Sequence, residues 1–204
     1  MPYTSVQICN MALSYLGNQE TISDLSEASQ EAEQCSLWYE PSLHGTLHDF
    51  PWPFATKYQA LGKLADDPDP EHAYAYNVPT DMVRARRFVT GSTQPDTSRV
   101  VFTVGRYASA PAILTNWYGE NGDGAPTLEY TSREEDANFF TPAFADALAW
   151  RIAYSVAMAL SVKESLRESA FQHYQIATGQ SKANALNEIS PPKEPESAAT
   201  RARA

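Results

Sequence analysis

A helical repeat of apolar residues that ends at two closely spaced prolines constrains this sequence more than any other feature. The repeat predicts one long helix whose buried face ends before Pro51, because Phe50 precedes a proline and is disfavoured in the α region. Asp24 or Ser26 is the expected cap of this helix, and Pro41 is expected to kink it. The residues of the buried face recur in steps of three and four: Ala28, Ala32, Cys35, Tyr39, Leu43 and Leu47.

The segment Pro51-Trp52-Pro53-Phe54 predicts a stiff corner after that helix. Each proline fixes its own backbone φ, and the rings of Trp52 and Phe54 can fasten the corner onto an apolar core. Pro53 suits the first position of a helix. We therefore predict a short third helix over residues 54–64.

Three further helices are predicted from caps and apolar spacing. Thr4 and Gln7 have the spacing of a capping box, which indicates a first helix over residues 4–16. Thr141 followed by Pro142 is typical of a helix start, and apolar residues then recur on one face as far as residue 160. A last helix is predicted from the apolar spacing of Leu166, Ala170, Phe171, Tyr174 and Ala177.

The middle of the chain alternates between apolar and polar residues, which is typical of β-strands. An acidic, proline-containing loop is expected at residues 66–71, and strands are expected near residues 73–76, 83–89, 100–104, 113–118 and 128–131. We therefore predict a mainly α fold with a small inserted antiparallel β region, an α+β helical bundle. The predicted parts are a helical core at 1–65 and 133–189, a β-rich insertion at 66–132, and a flexible tail at 190–204.

Charge and composition exclude several classes of function. The 204 residues carry a formal net charge of −10 at pH 7, which disfavours a general grip on nucleic-acid phosphates. No apolar run approaches the roughly 18 residues of a membrane span, and the first residues do not resemble a signal peptide. Cys9 and Cys35 fall on apolar helical faces, so we expect two buried, reduced thiols; a disulfide between them is the less favoured alternative.

Motifs for catalysis are weak. His44 and His48 are one helical turn apart, but Gly45 stands where zinc proteases place a glutamate, so we expect interface or surface histidines. The carboxylates at 134–136 are expected to form a solvated run before a helix, and Gly122-Asp123-Gly124 is expected to form a turn rather than a calcium loop. We predict no enzyme activity, no metal and no cofactor.

A group of arginines makes the β-rich region locally basic within an acidic chain. One interpretation is a solvated strand face, and the other is a contact surface for an acidic partner or an occasional phosphate. The residues concerned are Arg84, Arg86, Arg87, Arg99 and Arg106.

Several short motifs, taken in order, resemble a known family. They are Asn10-Met11-Ala12-Leu13-Ser14-Tyr15-Leu16-Gly17, Ile22-Ser23-Asp24-Leu25, Glu31-Ala32 with Cys35, Trp38-Tyr39-Glu40-Pro41, Pro51-Trp52-Pro53-Phe54-Ala55 and Tyr76-Asn77-Val78-Pro79-Thr80-Asp81-Met82. Over about the first 85 residues the chain is similar to the head-to-tail adaptors of tailed phages, a group that includes tail tubular protein A and head-completion connectors. A basic residue expected shortly after Pro41 is replaced here by Ser42-Leu43-His44.

The resemblance implies a ring subunit of the virion neck, assembled in the host cytoplasm. Usually about twelve copies dock beneath the portal protein, extend the DNA channel and offer a platform to the tail nozzle or tail tube. Double-stranded DNA would pass without specific binding, and no membrane is involved. The residues expected at interfaces are Trp38, Trp52, Phe54, Arg84, Arg86, Arg87, Arg201 and Arg203.

Three other interpretations remain open from sequence. A stopper or tail-completion protein of the same region would need a channel-closing loop, for which residues 66–71 are a candidate. A peptide-binding or scaffolding module unrelated to virions need not form rings with a portal. An uncharacterised hydrolase would show activity in a broad screen.

Overall fold

The computed structural model describes residues 3–90, 100–119, 125–160 and 163–188. Within these residues, two α-helices precede seven strands along the chain, and two more follow them. The helices are α1 (Ser5–Tyr15), α2 (Gln30–Asp49), α3 (Pro142–Val156) and α4 (Glu164–Glu188). The strands are β1 (Thr56–Ala60), β2 (Lys63–Asp69), β3 (His72–Asn77), β4 (Met82–Val89), β5 (Phe102–Tyr107), β6 (Ala110–Thr115) and β7 (Thr127–Ser132). Short 3₁₀ turns occupy Pro53–Ala55 and Ala137–Phe139.

The fold class predicted from the sequence is wrong in its balance of elements. The protein is an α+β fold with two antiparallel sheets, not a mainly helical bundle with a small insertion. One sheet has the strand order β1-β7-β4, and the other has the order β2-β3-β6-β5. The strands already begin at Thr56, so the β region takes in residues that the sequence analysis assigned to the helical core.

Residues 54–64, predicted to be a helix, form a 3₁₀ turn and then β1. Pro53 does begin a helical turn, as predicted, but that turn ends at Ala55. Thr56 then lies opposite Thr131 and Ala60 opposite Thr127, so β1 pairs along its length with β7. This pairing across distant parts of the chain decides the conformation of a short segment whose own preference is weak.

The acidic segment at 66–71, predicted to be a loop, lies mostly in β2. Pro68 is tolerated there because β2 is an edge strand, where a missing N–H need not break the ladder. The register between β2 and β3 shifts between Asp66 and Asp69, and Asp67 has a φ of 47°, in the left-handed region. The irregular pairing therefore allows residues that are typical of turns to lie within a strand.

The two sheets share an apolar core. It is made by side chains from both sheets and the β1–β2 connection: Leu61, Tyr76, Phe88, Ile113, Leu128 and Tyr130. The strands predicted near 73–76, 83–89 and 128–131 are confirmed as β3, β4 and β7. Those predicted at 100–104 and 113–118 overlap β5, which begins at Phe102, and β6, which ends at Thr115.

The helices form a second, larger core centred on α3. This helix packs against α1, α2 and α4, and its buried residues include Phe144, Leu148 and Ile152. The predicted starts of α1 and α3 are confirmed: Thr4 and Gln7 form a capping box, and the Thr141 side chain caps α3 with Pro142 in its first turn.

The start of α2 differs from the prediction. Its cap is Ser29, not Asp24 or Ser26. The Asp24 carboxylate instead accepts a hydrogen bond from the Ser26 N–H, and the Glu27 carboxylate accepts two from Ser23. These local hydrogen bonds stabilise a turn where the helix was expected to begin. The helix ends before Pro51 as predicted, and Pro41 lies inside it.

Some predicted features lie outside the described residues: Arg99, the turn at 122–124, and the tail with Arg201 and Arg203. Among the helices that the structure describes, none combines the length and the apolar character that a bilayer crossing requires.

Candidate functional site

The Pro51-Trp52-Pro53-Phe54 corner is built into the core of a single chain. The Trp52 ring is 2% exposed, and its Nε1–H donates to the Thr46 carbonyl oxygen at 2.8 Å. Its ring meets those of Phe50 and Phe144 edge to face, with centroids 5.1 and 4.9 Å apart. Phe54 is partly buried and lies 5.0 Å from Phe144 by the same measure. Both rings therefore join the end of α2 to α3.

Trp38 has the opposite setting, at the surface of α2. It is 37% exposed, and the neighbouring Leu37 is 60% exposed. Pro41, one helical turn after Leu37, is also exposed, and residues four apart share a helix face. Leu37, Trp38 and Pro41 are called the α2 apolar patch below. Leu37 and Pro41 were not predicted as surface contacts, although apolar residues outside the buried face of a helix can be recognised in a sequence.

The three predicted interface arginines within the described residues lie on β4. Arg84 is exposed and its Nη1 donates to the His48 carbonyl oxygen at 3.0 Å. Arg87 is exposed and its Nη2 lies 2.7 Å from Glu129 Oε2. These contacts tie β4 to the end of α2 and to β7, while both guanidinium groups still face solvent.

Arg86 is the least exposed of the three. Its Nε donates to Thr131 Oγ1 at 2.8 Å. Burial, together with the neighbouring Arg84 charge, lowers the pKa of Arg86 to about 10, against the opposing effect of Glu129. A cleft of about 530 Å³ beside it is lined by Arg84, Arg86 and residues 100–102. Its basic wall could receive an acidic side chain or a phosphate.

The two histidines do not share a site. His44 Nε2 lies 3.9 Å from Glu40 Oε1, whereas His48 Nδ1 lies 3.9 Å from Asp49 Oδ1. One turn of helix therefore gives the rings different neighbours. The sequence predicted interface or surface histidines, and His48 is exposed while His44 is half-buried.

Pairs of tyrosine and aspartate bridge distant elements. Tyr15 of α1 donates to Asp146 of α3 at 2.7 Å, and Tyr130 of β7 donates to Asp81 at 2.9 Å. Burial and the Asp81 bond raise the pKa of Tyr130 to about 12, so its phenol stays protonated at neutral pH. A phenol whose pKa lies so far above pH 7 suits a structural hydrogen bond better than proton transfer.

Cys9 and Cys35 are both buried and free, as predicted. The two thiols form a hydrogen bond with each other, and this hydrogen bond together with burial raises the pKa of Cys9. A protonated, enclosed thiol is a poor nucleophile. The pair therefore contributes to the contact between α1 and α2.

Comparison with known proteins adds no family to these observations. No family model matches the chain, and no curated protein matches it. Any function proposed for the chain therefore depends on its own residues and on the resemblance described above.

Proposed function

We propose that this protein is a structural head-to-tail connector of a tailed phage. In this proposal about twelve copies form a ring beneath the portal protein, extend the channel for double-stranded DNA and attach the tail nozzle or tail tube. The work of the protein is assembly, and no covalent step is involved. The virion neck is its place of action.

The α2 apolar patch is the observation that carries this proposal. Leu37 and Trp38 are large apolar side chains exposed on a helix whose other side is packed against α3. Neighbouring exposed apolar residues of this size are typical of protein interfaces, and tryptophan is among the residues that most often dominate interface energies. We assign the patch to contact with the next copy in the ring.

The motifs behind the resemblance have scaffolding roles in this fold. Asn10 donates through Nδ2 to the Ile22 carbonyl oxygen and accepts the Ile22 N–H, each at 2.9 Å. Asp81 binds Lys57 at 2.9 Å and accepts the Tyr130 hydroxyl. Residues that position backbone and join elements suit a wall-forming subunit better than a reactive pocket.

Charge also suits a channel wall. A formal charge of −10 per chain gives a ring of about twelve copies a total near −120, which discourages DNA from adhering as it slides past. Arg84 and Arg87 place exposed positive charge on β4 within this acidic protein. They are suited to an acidic surface of a neighbouring subunit, the portal or the tail.

The interpretation as a stopper loses the feature that favoured it. That interpretation depended on a free loop at residues 66–71, where the structure has the end of β2 and its turn into β3. Residues 66–69 belong to the edge strand that pairs with β3, and Pro70 and Glu71 form the turn between the two strands.

The proposal is tested by mixing purified chain with the portal protein of the same phage and measuring particle mass. We expect complexes whose mass corresponds to a closed ring of connector on each portal. Leu37→Lys should prevent this, because it places a charge in the α2 apolar patch. Glu33→Gln, an exposed change on the same helix that removes no apolar surface, should assemble normally. Normal assembly of Leu37→Lys would exclude the patch as the seam, and no binding by the unchanged chain would overturn the proposed function.

A further inference from the structure

We propose that Glu40, His44 and Glu135 form a binding site for one divalent transition-metal ion, with Zn²⁺ as the best-matched ion. One ligand atom from each of the three side chains lies within 4.8 Å of the other two. Glu40 and His44 are four residues apart on one face of α2, and Glu135 follows β7 on the way to α3. A bound ion would therefore brace α2 against the segment that leads from the sheets back to the helices.

The imidazole of His44 gives an independent sign of a missing ligand. Its Nε2 atom is enclosed from solvent and has no hydrogen-bond partner within the described part of the chain, although the side chain as a whole is 32% exposed. A buried nitrogen without a partner is costly, and most buried polar atoms in proteins are paired. Coordination of an ion through Nε2 would satisfy it.

The space and the reach of the side chains fit an ion. The two carboxylates, but not His44, line a cavity of about 420 Å³ together with Tyr39, Leu43 and Asp136, so water can reach an ion from the carboxylate side. Ligands of a tetrahedral Zn²⁺ lie about 3.4 Å apart, given Zn–N and Zn–O distances near 2.1 Å. The ligand atoms, at most 4.8 Å apart, need to close by no more than about 1.4 Å, and side-chain exposures of 67% and 61% for Glu40 and Glu135 leave the carboxylates free to move.

The donor set selects the kind of metal. One imidazole and two carboxylates suit Zn²⁺ and neighbouring transition metals, whereas Ca²⁺ and Mg²⁺ prefer oxygen ligands alone. Arg133 Nη1 lies 3.9 Å from Glu135 Oε1, a long and exposed ion pair that is weak enough for a metal to displace. This site departs from the expectation of no metal, which considered His44 with His48 and did not foresee Glu135.

The test is calorimetric titration of the chelator-treated full chain with ZnCl₂. We expect saturable binding of one ion per chain and a higher unfolding temperature in its presence. His44→Gln and Glu135→Gln should each weaken binding at least tenfold. His48→Gln and Glu33→Gln, exposed changes outside the cluster, should bind as the unchanged chain does.

Thermal unfolding without metal controls for damage to the fold, since all four side chains are partly or largely exposed. A second readout is the visible absorption of bound Co²⁺, which should report coordination in the unchanged chain and disappear in His44→Gln. Absence of saturable binding would overturn the site. So would binding that His44→Gln and Glu135→Gln leave intact, or that His48→Gln weakens equally. The titration uses the isolated chain, so its failure is separate from failure of the connector function.

Discussion

Arg151 of α3 donates through Nη1 to the Asp49 carboxylate at the end of α2, over 2.8 Å. Tyr174 of α4 joins the same pair: its hydroxyl donates to Asp49 Oδ2 at 2.6 Å and accepts from Arg151 at 2.7 Å. Three helices therefore meet at one charged cluster. The cluster also explains Gly45, because a Cβ at that position would collide with the Arg151 guanidinium.

Replacing Gly45 with alanine should lower stability, although alanine is the better helix former. The expected helix gain of about 1 kcal/mol would be offset by displacement of Arg151 from Asp49 and Tyr174. We expect a net loss of about 1 kcal/mol in the free energy of unfolding, measured by urea denaturation. Gly179 of α4 is the matched control, since no atom lies within 4 Å of a Cβ there and Gly179→Ala should stabilise.

A double variant isolates the cause. In an Arg151→Met background, Gly45→Ala should stabilise the protein, because the guanidinium is gone. If Gly45→Ala stabilises the unchanged chain to the same extent, the collision with Arg151 does not explain the glycine.

The same cluster predicts an acid-sensitive contribution to stability. Burial alone would raise the pKa of Asp49, but hydrogen bonds from Tyr174 and Arg151 and the Arg151 charge outweigh it and hold the pKa below its usual value. A lowered folded-state pKa gives stability that is present above the unfolded value near 3.9 and is lost as pH falls through the folded value. The free energy of unfolding should therefore fall more steeply below about pH 5 in the unchanged chain than in Asp49→Asn. If the free energy of unfolding depends on pH in the same way in both proteins, Asp49 and its partners make no acid-sensitive contribution to stability.

Trp52 and Trp38 should respond differently to the same substitution. Trp52→Phe removes the bond to Thr46 and leaves a cavity in the core, so we expect a loss of about 1–3 kcal/mol in the free energy of unfolding. Trp38→Phe changes a partly exposed ring and should cost less than about 0.5 kcal/mol in the monomer. Equal losses in urea denaturation would contradict the assignment of one ring to the core and the other to the surface.

The C-terminal residues are predicted to act in docking rather than in folding. A chain that ends at residue 189 should unfold at the same temperature as the full chain but fail to join portal rings. Arg201→Glu with Arg203→Glu in the full-length chain tests charge directly and should weaken portal binding most at low salt, where these charges are least screened. Normal docking by the truncated chain would remove this role.

Local signals in the sequence predicted the starts of α1 and α3 well. The Thr4 capping box and the Thr141-Pro142 start are formed within a few residues, so no distant contact is needed to specify them. The alternating strands β3, β4 and β7 were likewise visible. Trp52 was expected both to fasten its corner to the core and to lie at an interface, and the structure buries its ring in the core.

Features that depend on distant residues were not predictable in this way. Strand β1 exists because β7, some 70 residues later, pairs with it, and β2 tolerates Pro68 because it lies at a sheet edge. The partners of His44 were missed for the same reason, since Glu135 comes close only when the sheets return the chain to the helices. Apolar spacing placed Tyr174 on the last helix but could not indicate its hydrogen bond to Asp49.

Imaging of this chain mixed with the portal protein is the decisive experiment for the proposed function. We expect a closed ring coaxial with the portal, in which Leu37 and Trp38 of each copy are covered by the neighbouring copy. A chain that stays monomeric beside the portal would contradict it, as would a ring in which the α2 apolar patch remains open to solvent.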